Sequence, residues 1–208
     1  MLIYERLKRI LDIAVSIPAL LITAPIQAVA GAAIWITMGP PVIFRQQRAG
    51  LNGAHFQMLK FRTMDPVDEK AGRIDDASRI TPIGKLLRAT SIDELPTLWN
   101  IVIGDMSLVG PRPLLPQYTE RYTRRQARRL EVKPGVTGLA QVSGRNAQSW
   151  IDRFELDAEY VQNRSFKLDF RILIKTIRVV LRRDGISADG HATMPEFFNK
   201  NTIGDQPA

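Results

Sequence analysis

The chain contains no cysteine and only two histidines, His55 and His191. Disulfides, thiolate metal centres and a cysteine nucleophile are thereby excluded, and no histidine-rich metal cluster can be assembled. A reducing compartment suits that composition. Aromatic residues are sparse at 7%, and internal repeats and low-complexity tracts are absent. Charge is missing altogether between Ile13 and Phe44. An uncharged run of that length is unlike a surface helix and is long enough to reach across a hydrocarbon layer.

What is present describes a folded protein. The 208 residues are 45% apolar and 24% charged, enough for one full core. The formal net charge of +8 favours acidic partners: nucleic acid, anionic lipid or phosphorylated small molecules. Arg6, Lys8 and Arg9 precede the uncharged run, and Arg45 and Arg48 follow it. A spanning helix carries its Lys and Arg excess on one side. Positive charge at both ends instead keeps both on the cytoplasmic side. Pro25, near the middle, removes a backbone hydrogen bond and bends a helix. Residues 13–38 therefore read as a helix–break–helix, broken at Ala24 and Pro25, that dips into one leaflet and returns, with Tyr4 and Trp35 at headgroup level. Two other readings stand beside it. One is a straight spanning helix kinked at Pro25. The other is a cleaved signal peptide ending near Ala28-Val29-Ala30, against which the apolar run continues through Ile34, Trp35 and Ile36.

Beyond it, residues 42–47 and 55–64 are strand-like and flank the turn signal A-G-L-N-G, which predicts a β-hairpin. Lys60 and Arg62 fall on one face of the second strand, either as exposed cations or as a phosphate-binding pair. Residues 65–79 read as a polar loop. Thr81-Pro82 predicts an N-cap with proline at the first helical position. Residues 117–132 read as a helix with Arg124, Arg125, Arg128 and Arg129 on one broad face, either solvated or against anionic lipid. Residues 133–145 read as turns and a small strand, with glycines that allow backbone amides to approach a phosphate. A helix over 150–161 precedes one over 165–183. In the latter Arg171, Lys175, Arg178 and Arg182 form a narrow stripe suited to a membrane interface or to the exposed edge of a core helix. The tail from Asn199 reads as disordered.

The densest chemistry lies in residues 91–113, S-I-D-E-L-P-T-L-W-N-I-V-I-G-D-M-S-L-V-G-P-R-P. Ser91 and Glu94 match a capping box. A helix starting at Asp93 would instead place Pro96 in the first turn, where proline is tolerated. In that register Asp93 is the cap, the helix dipole keeps it ionised, and Leu95, Leu98, Val102 and Trp99 form the buried stripe. An ionised carboxylate can attack phosphorus. Lys60, Arg62, Arg88 and Arg112 are available to hold a diphosphate. A metal bound by Asp93 and Glu94 would be a hard, oxygen-liganded ion, which favours Mg²⁺.

Several of these segments together resemble the bacterial sugar transferases known as small monotopic polyprenyl-phosphate phosphoglycosyl transferases. The likeness runs through Lys8-Arg9 with Asp12, Phe44-Arg45-Gln46 with Arg48 and Gly50, and Lys60-Phe61-Arg62-Thr63-Met64. It continues through Ser91 to Pro96, Asn100, Gly104 to Ser107, Val109 to Pro113, and Pro134-Gly135 to Gly144-Arg145. The resemblance implies transfer of a phosphosugar from a UDP-sugar to polyprenyl (undecaprenyl) phosphate, with release of UMP. It implies Asp93 as the nucleophile of a covalent intermediate, Glu94 as its dyad partner, Mg²⁺ as cofactor, and Lys60, Arg62, Arg88, Arg112 and Arg145 as substrate-binding residues. The implied place is the cytoplasmic face of the inner membrane, among membrane lipids and without nucleic acid. Ala24-Pro25 and Leu139 depart from the family, where Ser-Pro and Trp are frequent. The expected fold is α+β and mainly helical. It comprises a re-entrant anchor over 1–40, and a catalytic domain over 41–198 with a β-hairpin and amphipathic interfacial helices around one small core. A tail over 199–208 completes it. A non-catalytic membrane scaffold and a basic nucleic-acid binder are the competing readings.

Overall fold

The computed structural model describes residues 2–70, 72, 74–144, 148–182 and 197. The expected tail and Arg145 lie outside these residues. The chain opens with α1 (Leu2–Met38), helical throughout with Pro18 and Pro25 inside it. The expected break at Ala24-Pro25 is thus not a gap in helical structure. A proline removes only its own N–H, and the turns on either side keep theirs. Thr23 does not replace the lost bond: its hydroxyl donates to Ala19 O at 2.6 Å and accepts from Gln27 at 3.0 Å. By length and composition α1 could cross a membrane, and its middle is bare, with Leu21 71% and Ile22 76% exposed.

Both ends of α1 are fastened to the rest of the chain. Near the N-terminus the Arg9 guanidinium donates to the carbonyls of Ile101 and Val102. Asp12 accepts from the Ser107 hydroxyl at 3.1 Å and the Leu108 N–H at 3.0 Å. Toward the C-terminus Ala30 and Ile34 are buried with Phe61 and Leu87. There the Arg62 guanidinium donates to the carbonyls of Met38, Gly39 and Pro40. A helix leaves its last carbonyls without partners, and a cation at that end also complements the dipole.

β1 (Ile43–Ala49) and β2 (His55–Phe61) form the expected antiparallel hairpin, with Ile43 opposite Phe61 and Ala49 opposite His55. The turn uses positive φ at Asn52 (54°) and Gly53 (78°). Residues 65–79, expected as loop, contain one helical turn, α2 (Asp76–Arg79). α3 (Pro82–Ala89) begins as expected, with the Gly84 N–H donating to Thr81 Oγ1 at 3.0 Å and proline in the first turn.

A two-stranded hairpin leaves the outer edge of β2 with unpaired groups. α4 (Thr97–Ile103) covers that edge with side chains. The Thr97 hydroxyl donates to Leu59 O at 2.8 Å, Asn100 Nδ2 donates to Gln57 O at 2.7 Å, and Asn100 Oδ1 accepts from the Leu59 N–H at 3.0 Å. This clasp explains why the buried face of α4 is Thr97, Asn100 and Ile101. The expected apolar stripe is displaced accordingly, and Trp99 is exposed.

β3 (Ser107–Val109) pairs in parallel with β4 (Gly135–Thr137), Ser107 facing Gly135 and Val109 facing Thr137. Between them lie α5 (Arg124–Ala127) and a 3₁₀ turn over Arg128–Glu131, rather than one helix over 117–132. α6 (Leu139–Ser143), α7 (Trp150–Asn163) and α8 (Phe166–Arg182) complete the described chain. Val109, Val132, Tyr160, Val161 and Ile172 form the core shared by β3, α7 and α8. The broad arginine face does not exist: Arg129 is buried against Asp157, Arg125 pairs with Glu155 and Arg128 with Glu131. The glycines of residues 133–145 serve packing: a Cβ on Gly135 would lie 2.1 Å from Gly110 N and one on Gly138 2.2 Å from Gly110 O. A methyl group on Gly31 would meet only side chains, the nearest at 3.5 Å. Gly135→Ala should therefore cost about 3 kcal/mol or more, while Gly31→Ala should hold or raise the melting midpoint. Melting curves of the two variants in the same detergent test this, and equal midpoints would contradict it.

Candidate active site

After α3 the chain reverses at Ser91, which has φ 57° and ψ 17°. For a residue other than glycine that backbone is uncommon and marks a constrained turn. It leads into a single 3₁₀ turn, Ile92–Glu94, and only then into α4. Neither capping register expected from the sequence is realised. Ser91 makes no side-chain cap, Asp93 lies inside the 3₁₀ turn, and Pro96 occupies the position before α4.

The turn lies beside β2 because the Thr97–Asn100 clasp holds α4 there, and this brings Asp93 and Glu94 to Lys60. Lys60 Nζ donates to Glu94 Oε1 at 2.6 Å, and Arg112 Nη2 donates to the same oxygen at 2.8 Å. Arg112 sits in the loop after β3, between Pro111 and Pro113. Three successive carbonyls of that loop are held: Pro111 O by the Gly135 N–H at 2.9 Å, Arg112 O by Arg129 Nη2 at 2.5 Å, and Pro113 O by Arg48 Nη1 at 3.3 Å. Arg129 is itself fixed by Asp157, with Nε to Oδ2 at 3.1 Å, and by the Tyr122 hydroxyl at 3.0 Å. Arg88 donates to Thr63 Oγ1 at 3.0 Å and faces Asp93 electrostatically.

The two carboxylates are treated differently. Burial opposes ionisation of Glu94, but Lys60 and Arg112 outweigh it and hold this carboxyl well below its usual range. Asp93 is 9% exposed, and no described residue donates a hydrogen bond to it. Burial, followed by the charge of Glu94, pushes its pKa from 3.8 up to about 6, against the pull of Lys60, Arg88 and Arg112. The expectation that a helix dipole keeps Asp93 readily ionised is therefore corrected: it caps no helix, and burial governs its charge. Around Arg112 the cations accumulate. Arg48, lowered to about 10 by burial and then Arg112, has a buried Nε without a partner among the described residues, and Arg153 is lowered by the same two causes. Such an excess of cations over a carboxylate pair is suited to a polyanionic ligand.

Of the residues singled out in the sequence, Asp93, Glu94, Lys60, Arg88 and Arg112 come together. Arg62 does not, being turned to the end of α1. Arg48 and Arg129 were missed as parts of the site. Arg48 had a signal, since it stands beside Phe44-Arg45-Gln46 in the segments that carry the resemblance; Arg129 had only the appearance of a solvated helix face. Among the described residues no three His, Asp or Glu side chains converge as a metal cluster.

The bacterial sugar transferase family matches residues 3–183. An uncharacterized sugar transferase of Bacillus subtilis, EpsL, is 50% identical over 198 residues, 95% of this chain and 98% of that one. An undecaprenyl-phosphate galactose phosphotransferase of Salmonella typhimurium is 42% identical over 86% of this chain, which spans only 41% of that protein. A UDP-glucose:undecaprenyl-phosphate glucose-1-phosphate transferase of Caulobacter vibrioides is 41% identical, over 85% of this chain and 70% of that protein.

The raised Asp93 has a measurable consequence for stability. Its folded pKa lies above the unfolded value, so folding favours the protonated acid. The ionised form costs stability fully above about pH 6, and the cost vanishes below the unfolded 3.8. A rise from 3.8 to about 6 corresponds to about 3 kcal/mol. In chelator, Asp93→Asn should melt higher than the parent at pH 7.5, with the gap closing toward pH 4. A gap independent of pH would refute this account.

Proposed function

We propose, for a chain that belongs to the bacterial sugar transferase family, that Asp93 carries a phosphosugar from a UDP-sugar to polyprenyl phosphate. The relatives named above as acting on undecaprenyl phosphate support the substrate classes. The observation that carries the reading is the division between the carboxylates: Glu94 is bound by two cations, while Asp93 is buried, basic and without a hydrogen bond from any described residue. An unencumbered carboxylate with a pKa of about 6 is ionised at neutral pH and more nucleophilic than an ordinary aspartate.

In the first step an Asp93 oxygen attacks the sugar-bearing phosphorus. The bond from that phosphorus to the bridging oxygen breaks, and UMP departs with the electron pair. In the second, a non-esterified oxygen of polyprenyl phosphate attacks the same phosphorus, and the Asp93 carboxylate is regenerated. Neither step requires net proton transfer. Lys60, Arg112 and Arg48 offset the charge of the diphosphate, and the three held carbonyls of the 111–113 loop keep Arg112 in place without rearrangement. Mg²⁺ suits this donor set, because it is commonly held by one or two carboxylates plus substrate phosphates. Asp93 and the second oxygen of Glu94 would hold it, and when bound it would neutralise charge on the diphosphate.

We place the apolar middle of α1 in one leaflet of the inner membrane, with the domain over 41–198 on the cytoplasmic side. A helix that crossed the bilayer would separate its ends by the hydrocarbon thickness, ~30 Å. Yet Arg9 and Asp12 at one end and Ala30 and Ile34 at the other bind the same body.

Asp93→Asn should abolish UMP release, and the parent's kcat/KM should fall below about pH 6 as Asp93 protonates. With labelled UDP-sugar, Mg²⁺ and no acceptor, label should appear on the peptide containing Asp93; its absence would remove the covalent step. The lack of native cysteine makes topology equally direct. Ile3→Cys and Asn52→Cys should both react with an impermeant maleimide in inverted vesicles and neither in intact spheroplasts. Opposite behaviour of the two would restore a spanning helix.

A further inference from the structure

One face of α8 is covered by nothing in the described chain. Phe170 is 65% and Ile177 56% exposed, with Ile174 between them at helical spacing. Arg171, Lys175 and Arg178 repeat that spacing one position further on, and all three are exposed. No described carboxylate pairs with any of them. Asp169, on the inner side, is committed elsewhere: it accepts from Tyr4, Lys8 and Tyr160, each at 2.8 Å. A groove of about 560 Å³ runs along α8 beside Leu139 of α6, and Phe170 and Ile174 line it together with the three cations.

We propose that this groove binds the headgroup of an anionic phospholipid, with the acyl chains along Phe170, Ile174 and Ile177. A soluble phosphate would need the cations but not a bare apolar row beside them; a lipid anion uses both. The location fits as well. The start of α8 is tied to the start of α1 through Lys8–Asp169 and the Tyr4 and Phe166 rings, 5.0 Å apart. The groove therefore lies where α1 approaches the bilayer, and in this respect the inference rests on the membrane placement proposed above. The groove is lined by none of Asp93, Glu94, Lys60, Arg88 and Arg112. The side chain of Arg182, the last cation of the stripe, lies outside the described residues.

The test uses the full chain, delipidated in neutral detergent and equilibrated with equal amounts of phosphatidylglycerol and phosphatidylcholine of the same acyl chains. Retained lipid is read by native mass spectrometry. Phosphatidylglycerol should be retained in clear preference. Each of Arg171→Gln, Lys175→Gln and Arg178→Gln should lower that preference about fivefold, and the triple variant roughly 100-fold. Arg124→Gln, at an exposed site away from the groove, should leave it unchanged and so separate a site from bulk charge. Equal retention by the parent, or a preference that survives the triple change, would overturn the proposal. So would displacement by inorganic phosphate at matched concentration, or stronger retention of polyprenyl phosphate. Flotation on pure phosphatidylcholine vesicles reads α1 insertion separately. Failure there removes the membrane placement and this site with it, whereas flotation with equal lipid retention overturns the site alone.

Discussion

The unpaired edge of β2 is the constraint from which the arrangement of the candidate site follows. Two strands cannot satisfy the Leu59 N–H, the Leu59 carbonyl and the Gln57 carbonyl on that edge, and each would cost about 1–3 kcal/mol if buried alone. Thr97 and Asn100 satisfy all three. Their bonds have direction, so they fix the register of α4 against β2 as an apolar contact would not. With α4 fixed, the preceding 3₁₀ turn has one place to go, and Glu94 meets Lys60. Glu94 then meets Arg112 from the next segment, and Arg129 supports Arg112 from behind. Each link depends on the one before it.

That chain of contacts ends in two neighbouring acids in opposite electrostatic surroundings. Glu94 is the anion that keeps Lys60 and Arg112 together before any ligand arrives. Those two cations would otherwise repel each other. Asp93, one residue earlier, receives no such bonds and is left with the cost of burial. Two adjacent carboxylates with pKa values pushed apart by their surroundings are the pattern by which two like groups take different roles in one site. The stability sacrificed at Asp93 is the counterpart of its proposed reactivity.

Much of this was legible in the sequence, and the failures have local causes. The hairpin turn, the Thr81-Pro82 helix start and the gathering of Asp93, Glu94, Lys60 and Arg112 could be read from turn chemistry and joint motifs. Arg62 shares a strand face with Lys60 only if the strand continues, but β2 ends at Phe61 and the end of α1 competes for the guanidinium. Arg129 shares a face with Arg125 only if the helix continues. At Arg128 the backbone tightens to 3₁₀, which advances each residue by about 120° rather than 100°. That carries Arg129 inward to Asp157. Capping logic failed at Asp93 because it assumes that an α-helix begins at once, whereas the 3₁₀ turn and Pro96 postpone it to Thr97.

The double fastening of α1 also bears on motion. A domain hung from one helix end can swing and change its height above a membrane, and each encounter must then recover that orientation. A helix clasped by Arg9 and Asp12 near its start and by Arg62 at its finish removes those freedoms beforehand. On the proposed placement, the depth of the apolar middle of α1 sets the altitude of Asp93, and the protein acts as a fixed gauge. A lipid phosphate diffusing in the plane then has only to arrive laterally, so the search is reduced from three dimensions to two.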